Sequence, residues 1–278
     1  MIKGYLSAND LQIAYCIHNP THSNTIFFIH GNSSSSAVWR NQVKCTLLAS
    51  YRLITIDLPS HGNSAAIDAE GDFSLPAIAK IVGAAINQLI NDQPYIICSV
   101  SLGTNMVAEM LADNFVPQGL LLAGPCIVGN NFGMEKMILQ GADVTAVFAE
   151  NLPEAAILEY ALIISSSKDE KDVQFFLADY NSVKGKFRSS LYGTIAAGSY
   201  NDQVAILQKL NLPVCIVFGK EEMVVNSDYL NEAPLNLWNK TIYKIPGASH
   251  LVNIDAPEAF NELLAAFAKD LFTITSVA

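Results

Sequence analysis

The sequence predicts an α/β fold: a mostly parallel central sheet flanked by helices, with a helical segment inserted late in the sheet. Three observations carry this. Short apolar runs without polar alternation, such as Thr25–Ile29 and Val214–Phe218, read as strands buried on both faces. Longer stretches with apolar residues at helical spacing lie between them, which is the pattern of strand–helix–strand units. From about Ile127 to Ser199 the alternation stops, and helical stretches follow one another with no clear strand.

In chain order, Ile2–Ser7 and Leu11–Ile17 flank the turn-forming Ala8-Asn9-Asp10 and read as a hairpin. Thr25–Ile29 is a strand that stops at His30-Gly31, and a helix is expected from about Ala37 to Ala49. Arg52–Ile56 is a strand ended by Asp57-Leu58-Pro59. Ile78–Ile90 is helical, with Pro76 suited to its first turn. Tyr95–Cys98 is a strand with the helix Leu102–Leu111 directly behind it, and Leu120–Leu122 is the next strand. Helical stretches are expected at Glu135–Gln140 and Ala155–Ile164 inside the insert. Val214–Phe218 and Thr241–Ile245 complete the strands, and an amphipathic helix runs from about Pro257 to Leu271. The expected division is a core of residues 1–126 and 200–278 and a helical cap of residues 127–199.

Composition narrows the function. The 278 residues are 51% hydrophobic and 15% charged, enough apolar material for a large core and an apolar pocket. No run reaches the roughly 18 apolar residues of a spanning helix, so no transmembrane segment is expected. Met1–Asp10 lacks the apolar centre of a signal peptide. A net charge of −10 argues against a nucleic-acid partner, whose phosphates it would repel. The five cysteines, Cys16, Cys45, Cys98, Cys126 and Cys215, are widely spaced and form no C-x-x-C or Cys–His metal pattern. They read as free thiols of a reducing compartment, hence a cytoplasmic protein with no metal. Cys126 falls near the rim of the expected site.

The sharpest local signal is Tyr95-Ile-Ile-Cys-Ser99-Val-Ser101-Leu102-Gly103, a strand, a sharp turn and a helix. A serine at such a turn is held above the sheet with its oxygen exposed at the helix N-terminus. Small residues are needed two positions either side, because strand and helix backbones converge there. The strand ending in His30-Gly31-Asn32 can direct a backbone N–H at that serine. The N–H groups of Asn32 and Leu102 are the candidate donors for the negative oxygen of an acyl-transfer intermediate. Val214–Phe218 leads into Gly219-Lys-Glu221-Glu222, and either acid can accept an imidazole N–H. Pro246-Gly-Ala-Ser-His250 follows the last strand and puts His250 in a loop. His30 and His61 lie in turns and read as structural, while His18 and His22 flank an N-terminal turn and read as exposed.

Serine, acid and histidine, each at the end of a strand and in that order, resemble the α/β-hydrolase superfamily, in its branch with a helical cap. His30-Gly31-Asn32-Ser33 is similar to its oxyanion turn, and Asp57-Leu-Pro-Ser-His-Gly62-Asn-Ser64 to its D-x-P-G-x-G-x-S loop. Ser99-x-Ser101-x-Gly103 resembles its nucleophile elbow, Gly219-Lys-Glu-Glu222 its acid turn, and Pro246-Gly-Ala-Ser-His250 its histidine loop. Asp255-Ala-Pro-Glu-Ala-Phe260 resembles the start of its final helix. Ser99 and Ser60 stand where glycine is usual, and Glu222 where aspartate is commoner. The resemblance implies Ser101 as nucleophile, His250 as base and Glu222 as its orienting acid, with no cofactor. It implies a carboxylesterase acting on a small-molecule substrate with an apolar acyl or alcohol part. Carbon–carbon bond hydrolases and perhydrolases use the same triad, and a ligand-binding protein can occupy the same scaffold, so these readings stay open. Phe132, Met134, Met137, Ile138, Val147, Phe148, Leu152, Leu158 and Tyr160 are the insert's candidates for lining a pocket.

Overall fold

The computed structural model describes residues 1–90, 92–113, 115–167 and 169–275. Eight strands, β1 (Ile2–Ala8), β2 (Leu11–His18), β3 (Thr25–Ile29), β4 (Arg52–Ile56), β5 (Tyr95–Val100), β6 (Leu120–Ala123), β7 (Val214–Gly219) and β8 (Leu237–Ile245), form one sheet in the order β1-β2-β4-β3-β5-β6-β7-β8. β2 runs antiparallel to β1 and to β4, while β4, β3, β5, β6, β7 and β8 are mutually parallel. The hairpin closes with Ala8 opposite Leu11. Its two turn residues, Asn9 and Asp10, both take positive φ, as a turn matched to strand twist requires.

The helices are α1 (Leu75–Leu89), α2 (Leu102–Met110), α3 (Met134–Met137), α4 (Thr145–Phe148), α5 (Glu154–Ile164), α6 (Glu170–Ser182), α7 (Phe187–Ala196), α8 (Gln203–Leu210), α9 (Val252–Asp255) and α10 (Pro257–Thr275). Every residue of β3, β4, β5, β6 and β7 is buried, because helices cover both faces. One face packs Phe27, Ile29, Ile97 and Leu122 against α1 and α2, while the other packs Phe28, Cys98 and Val217 against α10. α1 starts on Ser74, whose hydroxyl accepts the Ala77 N–H, with Pro76 in the first turn. Such a cap stabilises a helix by about 1 kcal/mol.

Two expected helices are shorter than their periodicity implies. Residues 37–49 form two 3-10 turns, Ser36–Trp39 and Thr46–Leu48. Gln42 between them is fully buried and gives its amide hydrogens to Asn253 O and Asn261 Oδ1, which ties the chain to α9 and α10 rather than to a continuous helix. Glu135–Gln140 is a single turn, α3, because Ile138 leaves to bridge Val225 and Leu139 donates to Val224 O. Three further elements, α4, α6 and α7, occupy the insert, and β8 begins at Leu237 rather than Thr241. Among the described residues no helix is long and apolar enough to cross a membrane.

Candidate active site

The parallel strands all end at one edge of the sheet, and the turns after β3, β5, β6, β7 and β8 meet there. Ser101 alone separates β5 from α2, with φ 53° and ψ −126°, a conformation that costs an L-residue energy and must be held by its surroundings. Its N–H bonds Ala123 O across the sheet edge, and its carbonyl accepts both the N–H and the hydroxyl of Thr104. A Cβ on Gly103 would sit 2.5 Å from Ile29 O and 2.7 Å from His30 O. The nucleophile turn and the turn after β3 therefore interlock, and Gly103 cannot carry a side chain. Ser99, where the resemblance expects glycine, fits wholly buried, with its hydroxyl left without a hydrogen-bond partner.

The turn after β3 lies against Ser101: a Cβ on Gly31 would come within 2.9 Å of Ser101 Cβ. Ser33 takes a left-handed φ of 55°, and its N–H bonds His61 Nε2 at 3.1 Å. His30 Nε2 accepts the Leu58 N–H at 2.9 Å. Burial lowers the pKa of both histidines, His61 to about 3, so each is a neutral ring accepting from one backbone group. They are the structural pins their turn positions suggest. His18 is not simply exposed: it is half-buried against Cys16. Ser60, the other serine in place of glycine, takes φ 66° and accepts the Ile67 N–H.

Leu102 is the first residue of α2, so its N–H has no partner inside the helix. Asn32, Ser101, Leu102 and His250 line one cavity of about 720 Å³, counting its open mouth. His250 Nδ1 is 2.9 Å from Glu222 Oε2, and both side chains are nearly inaccessible. Glu222 Oε1 accepts the Val224 and Val225 N–H groups. Burial works to raise the Glu222 pKa, but His250 and these donors outweigh it and hold the carboxyl below its usual range. Burial likewise works to lower the pKa of His250, and the Glu222 carboxylate, joined by the Cys126 side chain beside the ring, overturns that and raises it. The neighbouring Glu221 is exposed and accepts the Ala248 N–H instead. Gly124 makes room for the ring, since a Cβ there would lie 2.9 Å from His250 Nδ1. Ser101 Oγ is 3.9 Å from Cys126 Sγ, and among the described residues no hydrogen bond joins it to His250. All five cysteines are free.

The rest of the cavity is mostly apolar and comes largely from the insert. Met134, Met137, Ile138, Val147, Phe148 and Tyr160 line it as expected. Leu152 and Leu158 instead pack into a separate cluster with Ile157 and Leu177, and Phe132 packs against the main core. Sequence reasoning missed Asn105, Leu191, Ile195 and Tyr200, all of which reach the cavity. Asn105 on α2, Leu191 and Ile195 on α7 and Tyr200 in the loop after it carry no motif that distinguishes a cavity-facing residue from a core one.

The insert also grips the site's turns. Val147 O accepts the Asn32 side-chain amide at 2.7 Å. Buried Arg188 on α7 donates from Nε to Ser33 Oγ at 2.8 Å and stacks over the Tyr180 ring. On the opposite side, Ile163 O and Ile164 O receive Ser249 Oγ and Leu251 N, on either side of His250.

Comparison with known proteins agrees with this architecture. The profile of the Alpha/beta hydrolase family matches residues 26–263. A non-heme chloroperoxidase of Streptomyces lividans is 25% identical over 275 residues, covering 95% of this chain and 98% of that protein. The N-acyl homoserine lactonase AidH, solved as a serine-to-glycine variant with N-hexanoyl homoserine lactone, superposes with a TM-score of 0.87 at 25% identity over 98% of both chains. An esterase from Rhodococcus sp. superposes with a TM-score of 0.81 at 22% identity, over 98% of this chain and all of that one.

Proposed function

The chain belongs to the alpha/beta hydrolase family, and we propose that it is a serine hydrolase that opens carboxylic esters or lactones by acyl transfer. The observation that carries this is one cavity shared by Ser101, on its strained turn, and His250, whose Nδ1 is already engaged by Glu222. With Nδ1–H given to Glu222, Nε2 is the base. It takes the Ser101 proton as Oγ attacks the carbonyl carbon, and the oxyanion is held by the N–H groups of Asn32 and Leu102. His250 then protonates the leaving oxygen and later activates the water that releases the acid. The Ser101–His250 contact forms when substrate enters.

Segment 127–199 acts as the cap and supplies the apolar wall that selects the acyl group. The likeness to a lactonase crystallised with a hexanoyl lactone favours a medium-length acyl chain. The test is a series of aryl esters and N-acyl lactones of increasing chain length, with Ser101→Ala and His250→Ala alongside. Hydrolysis that peaks at a medium chain and is lost in both variants is expected; turnover retained in either variant contradicts the reading. The relative named a chloroperoxidase favours a second acceptor for the same intermediate, hydrogen peroxide in place of water, which would release a peracid and restore Ser101. Acyl transfer to peroxide that is lost in Ser101→Ala is the outcome that reading requires.

A further inference from the structure

We propose that Asn105 Oδ1 is a fixed hydrogen-bond acceptor in the substrate cavity, and that the substrate carries an N–H or O–H donor a few bonds from the attacked carbonyl. The inference rests on the reading above that this cavity holds the substrate. Asn105 and Glu109 lie four residues apart on α2 and so share one face of it, and Asn105 follows the helix's N-cap, Ser101, by four residues. Glu109, buried, accepts the Asn201 N–H at 3.0 Å, the Asn201 side-chain amide at 2.6 Å and Gln203 Nε2 at 2.8 Å. A carboxylate only accepts, so the amide nitrogen of Gln203 must face it. Gln203 Oε1 then accepts the Val128 N–H at 3.1 Å and Asn105 Nδ2 at 2.9 Å.

Asn105 is fixed by the same logic. Its two neighbours on that side, Gln203 Oε1 and Cys126 O, are both acceptors, so both hydrogens of Nδ2 are spent on them, the second at 2.7 Å. The reversed amide would set oxygen against oxygen twice. Oδ1 is therefore left over. Among the described residues it has no hydrogen-bond partner and it is not among the sealed-off polar atoms, and Asn105 lines the cavity of Ser101 and His250. The chain Glu109–Gln203–Asn105 polarises in one direction, each amide made a better acceptor by the charge behind it. Asn105 comes one turn after Ser101 and lines the same cavity, so the acceptor and the nucleophile face the same bound molecule. The hydroxyls of Tyr160 and Tyr200 also line the cavity, but each can turn its proton to donate or accept. Asn105 Oδ1 can only accept, so it discriminates.

The substrate class that fits is an acyl compound with a secondary amide N–H, or a hydroxyl, near the reacting carbonyl. Ligand pairs in Ser101→Ala protein separate these and need no turnover. One pair is N-hexanoyl homoserine lactone and the analogue with ester oxygen in place of its N–H. The other is ethyl 2-hydroxyhexanoate and ethyl hexanoate. Calorimetric titration is expected to show the donor-bearing member of one pair binding about tenfold tighter, the pair with the gap identifying the donor. In the Ser101→Ala/Asn105→Leu protein that gap closes to about twofold or less, with the donor-free ligand little changed. Equal affinities within both pairs, no binding of any of the four, or a gap that survives Asn105→Leu overturns the assignment. The comparison within each pair is made with the network intact, so it stands even where Asn105→Leu fails to fold. Turnover is read separately with Ser101 in place: a gap without turnover supports the acceptor while contradicting the hydrolase reading.

Discussion

The sheet edge and the helical insert facing it are built by different means. At the edge, backbone geometry fixes the chemistry. Gly103 and Gly31 let two turns touch, Gly124 makes room for the His250 ring, and Ser101 is held by backbone carbonyls and N–H groups. In the insert, side chains do much of the positioning: Arg188 reaches Ser33 and Asp179 accepts the Ser35 hydroxyl. The edge is where proton and acyl transfer are proposed to occur, and the insert is proposed to select what fits beside them. Substitutions should divide accordingly, the edge governing rate and the insert governing preference.

The largest expected loss follows His250→Ala, with kcat falling on the order of 10⁵-fold or more while the fold survives. Steady-state kinetics beside a melting curve checks this, and a loss under tenfold would remove His250 from the chemistry. Glu222→Gln should lower kcat by about 10²–10⁴-fold and also move the pH profile. His250 must be unprotonated to act as base, so activity rises with pH through its pKa. Glu222 raises that pKa against the lowering by burial. Removing the charge therefore shifts the rising limb to lower pH; a limb that stays put or moves up contradicts the pairing.

How much of this was legible follows the same division. The turns after β3, β5, β7 and β8 announced themselves because a close backbone approach demands particular residues at fixed offsets, as at Gly103 and Gly219, whereas the turn after β6, where Gly124 admits the His250 ring, did not. Glu222 over Glu221 was legible only through the family resemblance, since both follow the same strand; the turn's path sends one to His250 and the other to Ala248 N. The insert's helices were half visible. α5 shows up through its long apolar run, whereas α6 is mostly polar and α4 is one turn long. Asn105 and Gln203 were invisible, because a buried amide looks like any surface amide until its partners are known.

Smaller effects sharpen the contrast. Gly103→Ala should destabilise the protein by about 1–3 kcal/mol, because the clash is with backbone that cannot step aside, and chemical denaturation reads it. Arg188→Met should lower kcat by about tenfold with KM little changed, since it loosens Ser33 and the Asn32 N–H rather than the acyl wall. If KM alone changes, Arg188 belongs to binding. Ile138→Trp should leave short acyl chains near their original rate and cut longer ones by about tenfold, a chain-length series being the measure.

The central claim is that Ser101 is an activated nucleophile, and intact mass after a fluorophosphonate probe tests it most directly. The account predicts a single adduct on the unsubstituted protein, mapped to Ser101 and absent from Ser101→Ala and His250→Ala. No adduct on well-folded protein, or an adduct that persists in Ser101→Ala, would contradict it.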